Sequence, residues 1–404
     1  MRIAMIGSKG VPATIGGVER HVEELGARLA SGGFSVTVYA RPWYTERAPW
    51  SVRTERGVRV VTLPSLRTKH LDAISHTLLA TWHAMRERHD VYHFHGVGPS
   101  LLAFLPRLLR PSARVVCTFH CVDCHHAKWG RIARAVLALG ERATCAFPHE
   151  TITVGETLQG YCSDRYGRET TCIPNGVAQG KREEGRGKRE ELQVHERDIL
   201  SQLQLVPRRY LLVVSRLVPH KGIHTIIAAF RQLRMEHREF RDLQLAIVGA
   251  PAFTDAYADE LTVLAGGDPA IRFLGRQTGA PLDALYRHCL AFVHASSSEG
   301  LPIAVLEAAA AGAVPVVSDI PEHREVIDRI GGLLFRTGDV HDCASVLEVA
   351  HRSARSLPRI GREIQAAVLR HYDWDAAAGR TVECYRSSHP KRIRQRLSWF
   401  PRLG

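Results

Sequence analysis

Two carboxylates, two cations and a histidine stand out in this chain for the chemistry that their types and spacing allow. Glu299 lies in a small polar loop, and Glu307 is the only charge in the apolar stretch 302–311 that follows it. The apolar run 289–293 reads as a buried strand leading into that loop. Pro302 suits the first helical position, where a missing N–H costs nothing, and Gly312 is placed to end the helix. A strand that feeds a helix N-terminus offers free backbone N–H groups and the positive end of a dipole to whatever lies above it. Phosphate and polyhydroxyl ligands suit such a place, and the two carboxylates can accept sugar hydroxyls. An isolated Glu307 would read as the solvated face of a surface helix. This helix has almost no other polar residue with which to build such a face, so a ligand role is the better reading.

Arg216 and Lys221 bracket the segment SRLVPHKG, 215–222, with Arg216 at the end of a strand and Lys221 at the start of the next helix. Paired cations at the carboxyl edge of a sheet suit a diphosphate whose leaving charge must be stabilised, and they do so without a metal. His120 ends the apolar strand VVCTFH, either as a polar partner of a reacting sugar or as a hydrogen-bonded histidine at the sheet rim. Gly7, Gly10, Gly16 and Gly17 follow the first strand without the G-x-G-x-x-G spacing of a dinucleotide fingerprint. Gly16 and Gly17 still let a ligand approach a helix N-terminus closely.

Other patterns are set aside. Cys121, Cys124, His125 and His126 have a haem-attachment or metal-like spacing. Haem attachment requires export, and a structural zinc site would need a second, distant ligand pair. Asp373-Trp374-Asp375 has the D-x-D form of metal-dependent sugar transferases, but it precedes a helix, where Asp is an ordinary N-cap.

The elements that position these residues alternate regularly. Strands are expected at 2–7, 35–40, 58–63, 91–95, 114–120 and 151–154. After a polar, densely charged stretch at 179–197 they resume at 210–215, 243–249, 271–274, 290–294, 314–318 and 333–335. Helical spacing lies between them, as in Val18, Val22, Leu25 and Leu29, or Ile223, Ile226, Ile227 and Phe230. Such alternation implies parallel sheets with right-handed crossovers. At 404 residues two domains are expected, and ligands bind at the carboxyl ends of strands in such sheets. A helix over 375–387 precedes a basic tail in which Leu397, Trp399 and Phe400 interleave with Lys and Arg, a composition suited to an anionic bilayer surface. The net charge of +13 favours anionic partners, yet no nucleic-acid module is recognisable. Nine irregularly spaced cysteines fit reduced thiols. Without a leader or a membrane-length apolar run, a cytoplasmic location is expected, with the inner face of the membrane as the site of any peripheral contact.

With these residues assembled, the chain resembles the GT-B-fold retaining glycosyltransferases, the large group-1/family-4 type that includes mannosyl-, rhamnosyl- and other hexosyltransferases of bacterial surface polysaccharides. The resemblance runs through RIAMIGSKGVPATIGGVERHVEEL, TFHCVDCHHAKWGRIARA, YGRETTCIPNGV, VSRLVPHKGI and SSSEGLPIAVLEAAAAGAVPVVSDIPEHREVI. In the last segment Glu299 and Glu307 correspond to the family's E-x7-E pair. The resemblance implies two Rossmann-like doubly wound α/β domains facing across a cleft. An acceptor-side domain would cover 1–178, a charged linker 179–207 and a nucleotide-sugar domain 208–372, with 373–404 returning to the first domain as a helix and ending in the basic tail.

It also implies roles. Gly16 and Gly17 would lie near the diphosphate and acceptor, and His120 would contact the donor sugar. Arg216 and Lys221 would hold the diphosphate, Glu299 with the N–H groups of Gly300 and Leu301 the donor sugar, and Glu307 the ribose. The donor would be a nucleoside diphosphate sugar and the acceptor a saccharide, lipid-linked in O-antigen or exopolysaccharide assembly. No cofactor or metal is expected. Relatives commonly carry an aromatic residue after the aspartate that here is Asp123, and Cys124 replaces it. A sugar-nucleotide epimerase and a non-catalytic protein on the same scaffold are the competing readings.

Overall fold

The structure, a computed structural model, describes residues 1–13, 16–68, 71–122, 130–177, 186–251 and 254–387. The chain divides into two compact units, 1–176 with 374–404, and 177–373. Cys124, His125, His126 and the basic tail lie outside the described residues, as do 179–185 of the expected linker.

The first unit is built on eight strands: β1 (Arg2–Ile6), β2 (Ser35–Ala40), β3 (Val52–Glu55), β4 (Val58–Thr62), β5 (Val91–His95), β6 (Arg114–Phe119), β7 (Glu150–Thr153) and β8 (Thr171–Cys172). They lie in the order β3-β4-β2-β1-β5-β6-β7-β8. Every pairing is parallel except that of β3 with β4. A parallel strand in the middle of such a sheet is covered on both faces, which is why β1 is apolar and buried from Ile3 to Ile6. Ile3 and Met5 pack with Val22, Leu25, Leu29 and Trp374 on one face, while Ala4 and Ile6 pack with Ala80 and Ala84 on the other. Trp374 opens the helix Trp374–Arg386, which seats on this unit. Arg28 donates to Asp375 at 2.7 Å, and the Tyr385 hydroxyl lies 2.7 Å from Nδ1 of buried His93. β3 escapes a sequence reading because VRTE is half exposed and sits at the sheet edge, closed onto β4 by a turn through Gly57.

The second unit holds β9 (Tyr210–Val214), β10 (Gln244–Val248), β11 (Ile271–Phe273), β12 (Ala291–His294), β13 (Pro315–Ser318) and β14 (Leu333–Phe335). Their order is β11-β10-β9-β12-β13-β14, all parallel. The helix Ile223–Glu236 turns Ile223, Ile226, Ile227 and Phe230 into the core, each fully buried. The charged stretch expected as a linker with the start of a surface helix carries a helix within the second unit. Arg186–Gln202 is a helix, and it packs on the helix Ala280–His288 of the same unit. Buried Glu196 is its anchor, paired with Arg287 at 2.6 Å and His288 at 2.8 Å. The density of solvated charge around Glu196 conceals this one inward-facing carboxylate. Among the described residues no helix is long and apolar enough to cross a membrane.

Buried histidines make the stability pH-dependent. Burial lowers His76 of the first unit and His323 of the second to about 3, against an ordinary value of 6.5. Between those values the unfolded chain binds protons that the folded chain refuses, so stability is complete above pH 6.5 and falls as pH drops towards 3. Each histidine should contribute about 1.4 kcal/mol per pH unit in that window. Urea unfolding at pH 7 and pH 5.5 should show the loss, and His76→Gln should reduce the slope. Equal stability at the two values would mean that these rings are not held neutral.

Candidate functional site

The predicted residues fall into one group in each unit. In the second unit, β9 runs through Ser215 and Arg216 into a 3₁₀ turn, Pro219–Lys221, and Gly222 then opens the helix Ile223–Glu236. Gly222 has a φ of +63°, and a Cβ there would stand 2.2 Å from the carbonyl oxygen of Ala295, so only glycine permits this approach. The Ser297 N–H donates to the His220 carbonyl at 2.9 Å, tying this turn to the loop after β12. The consequence is that Lys221, from the first βα loop, meets Glu299, from a loop 78 residues later.

Lys221 Nζ donates to Glu299 Oε1, and the two side chains are 12% and 11% exposed. His294, the last residue of β12, places Nε2 2.8 Å from the same oxygen and 3.1 Å from the Ser296 hydroxyl. Burial alone would raise the Glu299 carboxyl, but Lys221 and the His294 hydrogen bond more than offset it and hold it well below the usual carboxylate range. Burial also lowers His294, against the pull of Glu299, so a neutral ring donating from Nε2 fits both shifts. His323 stands behind, its ring 5.3 Å from that of His294 and Nδ1 2.7 Å from the Ser318 carbonyl. This support is not legible in the chain, where His294 reads only as the end of a strand.

Arg216 is half buried and its guanidinium has no ion-pair or hydrogen-bond partner among the described residues, which leaves it available to an external anion. Gly300 and Leu301 are buried beside Glu299. Pro302 is the N-cap instead of the first helical residue, and Ile303–Ala310 carries half-buried Glu307, 3.4 Å from the hydroxyl of Tyr286. Burial, and then Glu307, push that phenol well above its ordinary value, so it stays a hydrogen-bond donor to the carboxylate.

In the first unit, Gly16 caps the helix Gly17–Ser31 with a φ of +98°, and both glycines are exposed. Glu19 in the first turn accepts from the Lys9 N–H at 3.0 Å, fixing the glycine-bearing loop after β1. His120 follows β6 and is buried. It does not stand alone. Its Nε2 is 3.4 Å from Nδ1 of His95 at the end of β5, and its ring centroid is 4.7 Å from that of His21. His21 in turn places Nδ1 2.6 Å from Oδ1 of Asn175. Nothing in the local sequence around Asn175 points to this bond. A partner 154 residues away is visible only in the fold.

The buried ion pair also decides how Lys221 can be probed. Removing its ammonium strands the Glu299 carboxylate in a nearly closed site. Lys221→Met should therefore destabilise the second unit by about 3 kcal/mol, while Lys221→Met with Glu299→Gln should recover much of the loss. Urea unfolding of wild type, both single variants and the double variant measures the coupling, and additive effects would deny it.

Comparison with known proteins agrees with this geometry. Residues 15–179 match the family model "Glycosyltransferase Family 4", and residues 197–362 match "Glycosyl transferases group 1". Glycogen synthase of Mycobacterium tuberculosis is 29% identical over 417 residues, covering 95% of this chain and 94% of the relative. Phosphatidyl-myo-inositol mannosyltransferase of Mycolicibacterium smegmatis is 24% identical, covering 98% and 97%. Among solved structures, Anabaena HepE in complex with UDP-glucose superposes with a TM-score of 0.75 at 18% identity, over 95% of this chain and 99% of that one. The two parallel-sheet units have the GT-B architecture of that structure. The chain is a glycosyltransferase of the group 1 type, with a family 4 domain preceding its group 1 domain.

Proposed function

We propose that the protein transfers a hexosyl or deoxyhexosyl group, with retention, from a nucleoside diphosphate sugar to a saccharide acceptor. The observation that carries this reading is the convergence of Arg216, Lys221 and Glu299 at the carboxyl ends of β9 and β12. Arg216, whose guanidinium has no partner among the described residues, follows β9, and the turn after it carries an ammonium held by a carboxylate. A diphosphate would take Arg216 and share Lys221, and the charge that grows on the leaving phosphate would be met by cations already in place. The departing phosphate would accept the acceptor's proton, so no protein nucleophile is needed. Glu299, with Gly300 and Leu301, would hold the sugar hydroxyls and Glu307 the ribose, while His120, Gly16 and Gly17 would serve the donor sugar and acceptor from the first unit. No metal is required for these steps.

HepE is solved with UDP-glucose, and the mycobacterial relative is named for a phosphatidyl-myo-inositol acceptor. Both names support a nucleotide-sugar donor and a lipid-linked acceptor for this chain. Its excess of positive charge would then favour a peripheral position at the cytoplasmic face of a membrane. Surface-polysaccharide assembly is the setting that the sequence resemblance favours.

A thermal-shift panel with UDP, dTDP, GDP and ADP, with and without Mg²⁺, tests the donor half. One nucleotide at 100 times its dissociation constant should add about 2.7 kcal/mol of stability without magnesium, and Glu307→Ala should weaken that shift. No shift with any nucleotide would favour the non-catalytic reading. Incubation of the nucleotide sugar without acceptor separates the epimerase, which would alter the donor. The anomeric configuration of the product, read by NMR, tests retention.

A further inference from the structure

We propose that His21, His95 and His120 form a three-imidazole site for a divalent transition cation, zinc first. The three side chains come from the helix Gly17–Ser31 and from the ends of β5 and β6, and all are buried. Each can offer one ring nitrogen such that the three atoms lie within 4.8 Å of one another. Nδ1 of His95 and Nε2 of His120 are 3.4 Å apart. Two ligands on a tetrahedral zinc, each bonded at about 2.1 Å, stand at about that separation.

The surrounding hydrogen bonds favour a cation over a merely packed cluster. His21 is oriented by Asn175, 2.6 Å from Nδ1. The ring that donates from Nδ1 to that amide oxygen keeps a lone pair on Nε2, and Nε2 is buried without a hydrogen-bond partner among the described residues. With Nδ1 of His95 turned towards the cation, the proton of that ring sits on its buried Nε2. An outer acceptor that fixes the tautomer of a ligating imidazole is the common arrangement around protein-bound metals. Burial also keeps the three rings neutral, the form that coordinates. An all-nitrogen set suits zinc, copper, nickel or cobalt and not magnesium or calcium. Three histidines leave a fourth tetrahedral position for water.

A second trio, His294, Glu299 and His323, is equally compact, but the Lys221 ammonium already occupies its carboxylate. Only the first trio is free of a competing cation. On the reading of His120 as a donor-sugar contact, bound zinc takes that contact away and opposes transfer, making the site inhibitory.

The test reads binding directly, without donor or acceptor, so its outcome is independent of whether the chain transfers sugar. Full-length protein stripped with EDTA is dialysed against zinc chloride and its metal content measured. One zinc per chain is expected, with affinity lowered about 10–100-fold in Asn175→Ala and more in His21→Gln and His95→Gln. Cobalt replaces zinc in a parallel sample. Visible bands of tetrahedral cobalt without a thiolate charge-transfer band, unchanged in Cys121→Ser/Cys124→Ser, support the histidine site. No stoichiometric zinc, affinity that survives His21→Gln and His95→Gln, or a thiolate band that disappears in the cysteine variant overturns it. If a histidine variant does not fold, the wild-type cobalt spectrum still decides between nitrogen and sulfur ligands.

Discussion

The bond between Lys221 and Glu299 is the constraint on which the second unit's chemistry depends. A carboxylate at this depth is unstable alone, and so is the ammonium. Together, with His294 as a third partner, they keep a negative and a positive group side by side at the ends of two adjacent strands. The backbone is shaped to make that meeting possible. Gly222 lets the turn after β9 close against Ala295, and the Ser297–His220 bond locks the two loops together. Arg216 is the contrast. It has the same charge and nearly the same place, but no protein counter-ion among the described residues. One cation is structural until a ligand arrives; the other is already waiting.

The first unit solves a different problem. Four histidines, His21, His93, His95 and His120, are packed so tightly that their rings touch, with His93 and His95 centroids only 4.1 Å apart. Protonating any one would place a charge among other buried imidazoles, and burial holds all four neutral. Their hydrogen bonds are satisfied unevenly. His93 is saturated by Tyr385 and Thr118, whereas His21 and His95 each keep a nitrogen without a partner among the described residues. Saturation marks a structural ring, and the open nitrogens mark the side of the cluster on which ligand chemistry is available.

Much of this was legible in the chain before the fold was seen. β1, β9 and β12 are largely apolar because parallel strands are buried on both faces, and the glycines, Arg216, Lys221 and Glu299 follow at their carboxyl ends. What could not be read was of two kinds. Local patterns misled where one buried residue sat among many solvated ones, as with Glu196 in its charged helix, or where an edge strand was too exposed to look like one, as with β3. Long-range partnerships left no local trace at all. Nothing near Asn175 announces His21, and nothing near His294 announces that it braces Glu299.

The seating of Trp374–Arg386 on the first unit has a consequence for how the protein is made. Trp374 is 2% exposed and lies in the same cluster as Ile3, Val22 and Leu25, so the first unit's core remains open until the far end of the chain arrives. Residues 177–373, the whole second unit, leave the ribosome in between. At typical synthesis rates that is a delay of roughly 10–40 s. During that time the unit begun first has an apolar face uncovered, while the unit begun second is complete in sequence. Maturation therefore runs against the order of translation: the later unit closes first, and the earlier one is finished by the helix Trp374–Arg386.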